Sequence, residues 1–250
     1  MTDIFNLSGR VAVITGANTG IGQGIAVALA QAGADIVTVG RSSAEDTRTL
    51  LPEGIRHHDI RADLSSTAPT AGIVEEVVST MGRIDILVNN AGIIRRADAV
   101  DFTEADWDAV MDTNLKSLFF LSQAAGRAMI GQGSGKIINI ASLLSFQGGI
   151  RVSPYTAAKS GVAGLTKILA NEWAAHGVNV NAIAPGYIET NNTTALREDP
   201  KRNADILGRI PAGRWGRPSD MGGAAVFLAS SASDYVNGVT LPVDGGWLGR

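Results

Sequence analysis

The chain contains no cysteine, which excludes disulfides, thiol catalysis and cysteine-based metal sites. Its three histidines, His57, His58 and His176, are too few for a zinc cage. We expect no metal site and assign these histidines to a strand edge and a helix end. Charged residues are sparse at 18%, with 21 Lys and Arg against 24 Asp and Glu for a net charge of −3. The basic residues cluster no further than pairs such as Arg95-Arg96 and Lys201-Arg202, which argues against a nucleic-acid partner. Aromatics make up 5%, and the four tryptophans are assigned to packing or subunit contacts, not to a base-stacking platform. No apolar run approaches the roughly 18 residues that a membrane helix needs. The opening Met1-Thr2-Asp3-Ile4-Phe5 lacks the basic and apolar regions of a signal peptide. These absences lead us to expect a soluble, cytoplasmic protein with no membrane partner.

What the chain does have is length, apolar residues and glycine. With 250 residues, 45% of them hydrophobic, folding would bury roughly 70% of the extended chain's surface, enough for one substantial core without staples. Thirty glycines punctuate a repeating pattern. Residues 11–15 (VAVIT) form a short, β-branched apolar run of the kind buried on both faces of a sheet. The run breaks at Gly16, and a helical pattern follows over 21–31, closed by Gly33. Further strands are predicted over 36–39, 84–89, 136–140, 178–184 and 239–243. Helices are predicted over 104–129, 154–176 and 219–228. Pro154 stands where a first-turn proline is tolerated, and Gly177 where a helix end favours glycine.

Strands alternating with helices imply right-handed crossovers, hence an α/β fold with a doubly wound parallel sheet of about seven strands flanked by helices. The chain reads as a single domain, 1–250, with no linker or repeat. Residues 186–217 lack periodicity and are expected to form a substrate lid. Ligands of such sheets bind beyond the carboxyl ends of the strands, so functional residues should follow Ile14, Val39, Val88, Ile140 and Ile183.

Two features at those positions carry chemistry. Thr15-Gly16-Ala17-Asn18-Thr19-Gly20-Ile21-Gly22 joins a strand to a helix, and its glycines would let the backbone approach a pyrophosphate at a helix N-terminus. A tight turn that binds nothing would read the same; the strand–turn–helix context favours the phosphate. The second strand ends not in an acid for a ribose hydroxyl but in Gly40-Arg41. Arg41 would clamp a 2′-phosphate, stack on adenine or point into solvent, so NAD and NADP both stay open. The second feature is Tyr155 and Lys159, four apart on one helix face. An ammonium beside a phenol is expected to lower its pKa and make it an acid/base near neutrality. Ser142 follows a strand, where its hydroxyl would meet a carbonyl. Asn114 interrupts an apolar helix, where its amide is satisfied locally or recruited to a site. Each has a plainer reading, as a packed ring, a turn residue or a capping amide; their joint occurrence at ordered strand ends favours catalysis.

Together with Asn89-Asn90-Ala91-Gly92, Pro185-Gly186 and Val243-Asp244-Gly245-Gly246, these residues resemble the short-chain dehydrogenase/reductase superfamily over essentially the whole chain. The stretches 138–151, 181–192, 209–216 and 232–238 resemble its branch of sugar-acid dehydrogenases. The resemblance implies Tyr155 as general acid or base, Lys159 as its partner and ribose ligand, Ser142 as the group orienting the carbonyl, and Asn114 as anchor of a proton-relaying water. It places Asn90, Ala91 and Gly92 on the adenine-ribose side, Asp63, followed by Leu64, at the adenine amino group, and Pro185, Gly186, Ile188 and Thr190 around the nicotinamide. It further implies an oxidoreductase that leans to NAD, with NADP made possible by Arg41, interconverting a secondary alcohol and a ketone on a sugar acid, such as 2-dehydro-3-deoxy-D-gluconate and its 2,5-dioxo product. Family members are commonly homotetramers. Such a substrate needs a cation for its carboxylate and polar partners for its hydroxyls; Arg95, Arg96, Arg151 and Arg214 are candidates for the first, Gln147, Asn191 and Asn192 for the second. The alternatives are a generic carbonyl or 3-oxoacyl thioester reductase of the same superfamily and a catalytically dormant dinucleotide-binding sensor.

Overall fold

The computed structural model describes residues 4–250; Met1, Thr2 and Asp3 of the opening segment lie outside the described residues. Its strands are β1 (Val11–Thr15), β2 (Asp35–Gly40), β3 (His57–Arg61), β4 (Ile86–Asn89), β5 (Gly135–Ile140), β6 (Val178–Pro185) and β7 (Thr240–Val243). They form one parallel sheet in the order β3-β2-β1-β4-β5-β6-β7. The helices are α1 (Gly20–Gln31), α2 (Glu45–Arg48), α3 (Thr70–Met81), α4 (Glu104–Met111), α5 (Ser117–Gln132), α6 (Ser153–Trp173), α7 (Thr194–Glu198), α8 (Pro200–Leu207) and α9 (Gly222–Ala229).

The run VAVIT is continuously apolar because both faces of β1 are covered. Ala12 and Ile14 point into a core that holds Ile25 and Leu29 of α1 and Leu228 of α9. Val11 and Val13 point into the opposite core, with Val77 of α3 and Leu121 of α5. Period-two alternation across a sheet buried on both sides produces this division. The strand order reverses between β1 and β4, and that switch opens a crevice beyond their carboxyl ends.

Three expectations change. The helix predicted over 104–129 is two helices, α4 and α5, joined by a π turn at Asp112–Lys116. The predicted helix 219–228 starts as a 3-10 turn, Pro218–Met221, before α9. The segment 186–217 is not a structureless loop, because α7 and α8 lie within it. Asp199 caps α8, its carboxylate accepting from the N–H groups of Lys201 and Arg202, with Pro200 in the first turn. Ile206 and Ile210 of this segment pack with Trp215, Trp247 and Leu143 in a small apolar cluster of their own.

Candidate active site

The glycine turn after β1 needs its glycines for conformation and for space. Gly16 and Gly20 adopt φ of +64° and +58°, the left-handed region that favours glycine. At Gly22 a Cβ would overlap the carbonyl of Gly16 and the amide of Asn90. Thr19, the extended N-cap of α1, makes no side-chain cap bond, which leaves the first N–H groups of α1 for an anion.

Asn90 braces this turn from β4. Its Nδ2 donates to the carbonyls of Thr15 (2.9 Å) and Gly16 (3.0 Å). Thr15 Oγ1 in turn accepts from the N–H groups of Asn90 and Ala91, both at 2.9 Å. Sequence reasoning passed over Thr15 as a site residue and also over Thr47 of α2, whose hydroxyl donates to Ala17 at 2.6 Å and accepts from Gln23 at 3.1 Å. Thr15 opens the glycine motif but nothing local marks its hydroxyl as a brace, and Thr47 carries no motif; only the fold brings these hydroxyls to their partners.

A groove of about 460 Å³ runs from this turn to the catalytic candidates. Gly16, Asn18, Thr19, Gly20 and Ile21 line one end, with Asn90, Ala91 and Gly92 beside them. Ile140, Tyr155 and Lys159 line its floor, and Glu189, Thr190, Asn191 and Asn192 its far wall. Thr190 reaches over the turn: its Cγ2 would lie 3.4 Å from a Cβ on Gly20. Other candidates for the dinucleotide stand outside this lining. Arg41 and Asp63 are exposed at the adjoining ends of β2 and β3. The carboxyl of Asp63 is held low by the N–H and hydroxyl of Ser65, and also by the charge of Arg41. Arg61, a second basic residue at this edge, donates to the Arg41 carbonyl at 2.6 Å. Leu64 and Ile188 are buried in the two cores. Pro185 ends β6, and Gly186 fits tightly against the backbone of Asp244.

Tyr155 and Lys159 lie one turn apart on α6, as the spacing requires. Lys159 is buried, its Nζ donates to the Ile140 carbonyl at 2.5 Å and stands 5.6 Å from the centre of the Tyr155 ring. Burial pushes its ammonium down to about 8. Tyr155 keeps part of its surface open yet is closely surrounded by protein, and that desolvation raises its phenol above the ordinary value. Here the structure corrects the expectation from spacing. The groups that pull the phenol down are a hydrogen bond with Ser142 and the charge of Arg96, and Lys159 is not one of them. Ser142 sits just past β5, as expected. Three residues on, Ser145 donates to the Lys159 carbonyl at 2.7 Å, tying the serine loop to α6.

Asn114 occupies the π turn and is fully buried. Its Oδ1 accepts from the N–H of Ile93 and its Nδ2 donates to the carbonyl of the same residue, both at 2.8 Å. The wider turn directs the amide inward, where it holds the segment that follows Gly92.

The expected carboxylate readers are mostly engaged elsewhere. Arg95 pairs with Asp106 at 3.1 Å, and Arg151, at φ +63°, with Asp98 at 3.2 Å. Arg214 grips Asp220 with two bonds of 2.6 and 3.0 Å and also donates to the Trp215 carbonyl. Gln147 spends its oxygen on Trp247 Nε1 at 3.1 Å. Arg96 differs: among the described residues no carboxylate pairs with it, and it donates to the Asn192 carbonyl across the groove mouth at 3.1 Å. The histidines are structural. His57 meets the Thr38 hydroxyl at 3.0 Å and His58 meets Glu76 at 2.7 Å, both from β3, while His176 ends the 3-10 turn that follows α6. No group of side chains among the described residues would hold a metal ion.

A phosphate cradle at the switch of a doubly wound parallel sheet, opening onto a buried lysine and a phenol, defines a dinucleotide-dependent oxidoreductase. The chain belongs to the short-chain dehydrogenase/reductase family: the family model described as enoyl-(acyl carrier protein) reductase matches residues 16–248. It is 60% identical to the 2-dehydro-3-deoxy-D-gluconate 5-dehydrogenase of Dickeya dadantii over 98% of both chains. Among solved structures it is similar to an Agrobacterium tumefaciens protein described as a 2-deoxy-D-gluconate 3-dehydrogenase, with bound NADP (TM-score 0.94, 58% identity, all of both chains covered). It is also similar to a Burkholderia cenocepacia gluconate 5-dehydrogenase in complex with NADP and tartrate (TM-score 0.94, 44% identity, 99% of this chain and 98% of that one).

Proposed function

We propose that this chain interconverts a secondary alcohol and a ketone on a sugar acid of the 2-dehydro-3-deoxy-D-gluconate type, using NAD or NADP. The observation that carries the reading is that the glycine cradle, Tyr155 and Lys159 line one groove, with Arg96, a rim arginine that has no carboxylate partner among the described residues, at its mouth. The high identity to dehydrogenases of this substrate supports the choice of sugar acid. So does a relative that held tartrate, itself a hydroxy acid.

The cradle would hold the pyrophosphate, and Thr190 and Lys159, which line the same groove, would hold other parts of the dinucleotide. When bound there, the dinucleotide supplies or accepts the hydride. The remaining work falls to side chains. Ser142 orients the reacting oxygen, Tyr155 gives that oxygen a proton in reduction and takes one from it in oxidation, and the positive charge of Arg96 favours the ionised phenol. Asn114 keeps the groove wall in place through Ile93. Arg41, with Arg61 beside it, suits a 2′-phosphate, which favours NADP at that edge. Residues 186–217 act as the lid. The working form is a cytoplasmic homo-oligomer, with self-association through an apolar face of the π turn, α5 and α6 that includes Leu115, Phe119, Phe120 and Leu165.

A charge-assisted guanidinium–carboxylate contact is worth roughly 1.5–3 kcal/mol, about 10- to 100-fold in affinity. Arg96→Met should therefore raise KM for the keto sugar acid by that factor while leaving KM for an acetoacetyl thioester, which has no carboxylate, unchanged. Equal KM values for parent and variant would remove Arg96 from substrate recognition. Preferred turnover of the thioester by the parent would favour the 3-oxoacyl reductase reading, which the likeness to a solved 3-oxoacyl (acyl-carrier-protein) reductase at 30% identity keeps in view.

A further inference from the structure

Between the sheet and α6 lies a buried polar chain that the proposed chemistry does not use. Asn89 ends β4 and is paired in register with Asn139 on β5. Asn89 Nδ2 donates to Ser122 Oγ of α5 and to Asn139 Oδ1, both at 2.9 Å. Asn139 Nδ2 donates to Thr166 Oγ1 of α6 at 3.0 Å, and that hydroxyl donates onward to the Val162 carbonyl at 2.8 Å. Asn139, Ser122 and Thr166 are wholly buried, where a polar group is costly unless satisfied.

The position of this chain matters more than its bond count. Thr166 lies seven residues beyond Lys159 on the same helical stripe, about 10 Å along the axis. Asn139 immediately precedes Ile140, whose carbonyl receives Lys159 Nζ. Helix α6 thus hangs from β5 at two points, Lys159 near the groove and Thr166 deep in the core. Its other buried residues include Ala158, Val162, Leu169 and Ala170, and apolar contact of that kind is non-directional. Directional bonds are what fix the helix along its axis.

We propose that Asn139, bridging Asn89 to Thr166, is a positioning residue that sets the height of α6 on the sheet and so where Lys159 and Tyr155 meet the groove. The inference rests on the reading of those two residues as the proton-handling pair. The test is Thr166→Val, which keeps the shape and removes the acceptor, beside Thr166→Ser, which restores it. If Thr166→Val does not fold, Thr166→Cys serves, because sulfur accepts weakly. We expect kcat to fall about tenfold in Thr166→Val, a change of roughly 1.4 kcal/mol in barrier. The half-maximal pH of oxidation should move by about half a unit, and Thr166→Ser should recover both within about twofold. A folded Thr166→Val with lower urea resistance but the parent's kcat and pH profile would reduce the chain to a plain strut and overturn the proposal. Lys159→Met separates the two levels. If it is inactive while Thr166→Val is normal, only the positioning role falls; if it keeps full activity, the reading of the site falls as well.

Discussion

Burial of Lys159 sets a cost that the enzyme carries in its folded state. Its ammonium titrates near 8 in the fold and near 10.4 in an unfolded chain. Between those values the unfolded chain binds more protons, so this group's contribution to stability rises with pH. Its penalty is fully present below pH 8 and gone above about 10.4, a span of about 3 kcal/mol. Lys159→Met lacks the penalty, so its stability relative to the parent should drop by about that amount from pH 7 to pH 10.4. Urea unfolding at the two pH values checks it, and a constant difference would refute the assignment. Tyr155→Phe keeps the ring and removes the proton donor. Turnover should fall by about 10²–10⁴ with dinucleotide affinity within about twofold, read by stopped-flow kinetics and fluorescence titration. Tyr155 and Lys159 were legible as a pair from spacing alone, but the direction of the phenol's shift was not. Spacing says which groups are neighbours, whereas burial and the approach of Arg96 and Ser142 depend on segments distant in sequence.

At the scale of elements, the cradle is the part most completely written in local sequence, because its glycines answer local demands of φ and space. Gly22→Ala would force a Cβ against the Gly16 carbonyl and the Asn90 amide. Neither group can yield without breaking the brace between β1 and β4. Dinucleotide affinity should therefore fall at least about tenfold, even though alanine is by propensity the better helix former by about 1 kcal/mol; unaltered affinity by calorimetry would show that the turn does not hold the cofactor. Other elements were harder to read. β3, HHDIR, lies at the sheet edge with only Ile60 buried, so it has no apolar run to announce it. The π turn inside 104–129 leaves no break in the composition. Helix α8 did carry a signal in Asp199-Pro200, an N-cap followed by a first-turn proline, which the weak periodicity around it masked.

For the whole molecule, the parallel sheet with a core on each face shows in β1, β4, β5 and β6 being buried nearly throughout. That pattern says less about surfaces. Phe120 is 39% exposed and Ile168 47%, and Phe120 borders an open apolar hollow with Leu115, Leu165, Gly161 and Gly164. On the proposed self-association through this face, Phe120→Asp, which leaves the groove untouched, should lower the mass read by light scattering; an unchanged mass would count against that contact. No helix among the described residues is long and apolar enough to cross a membrane.

By itself the sequence determined the alternation of strand and helix, the glycine cradle and the Tyr155–Lys159 spacing, since each depends on residues within a few positions of one another. Tertiary structure alone decided that Asn90 braces the cradle, that Asn114 grips Ile93, and that Arg96 has no acid partner among the described residues while Arg95, Arg151 and Arg214 are paired. Those outcomes depend on which side chains the folded backbone brings within hydrogen-bonding distance, and a charge or an amide carries no local mark of the partner it will meet.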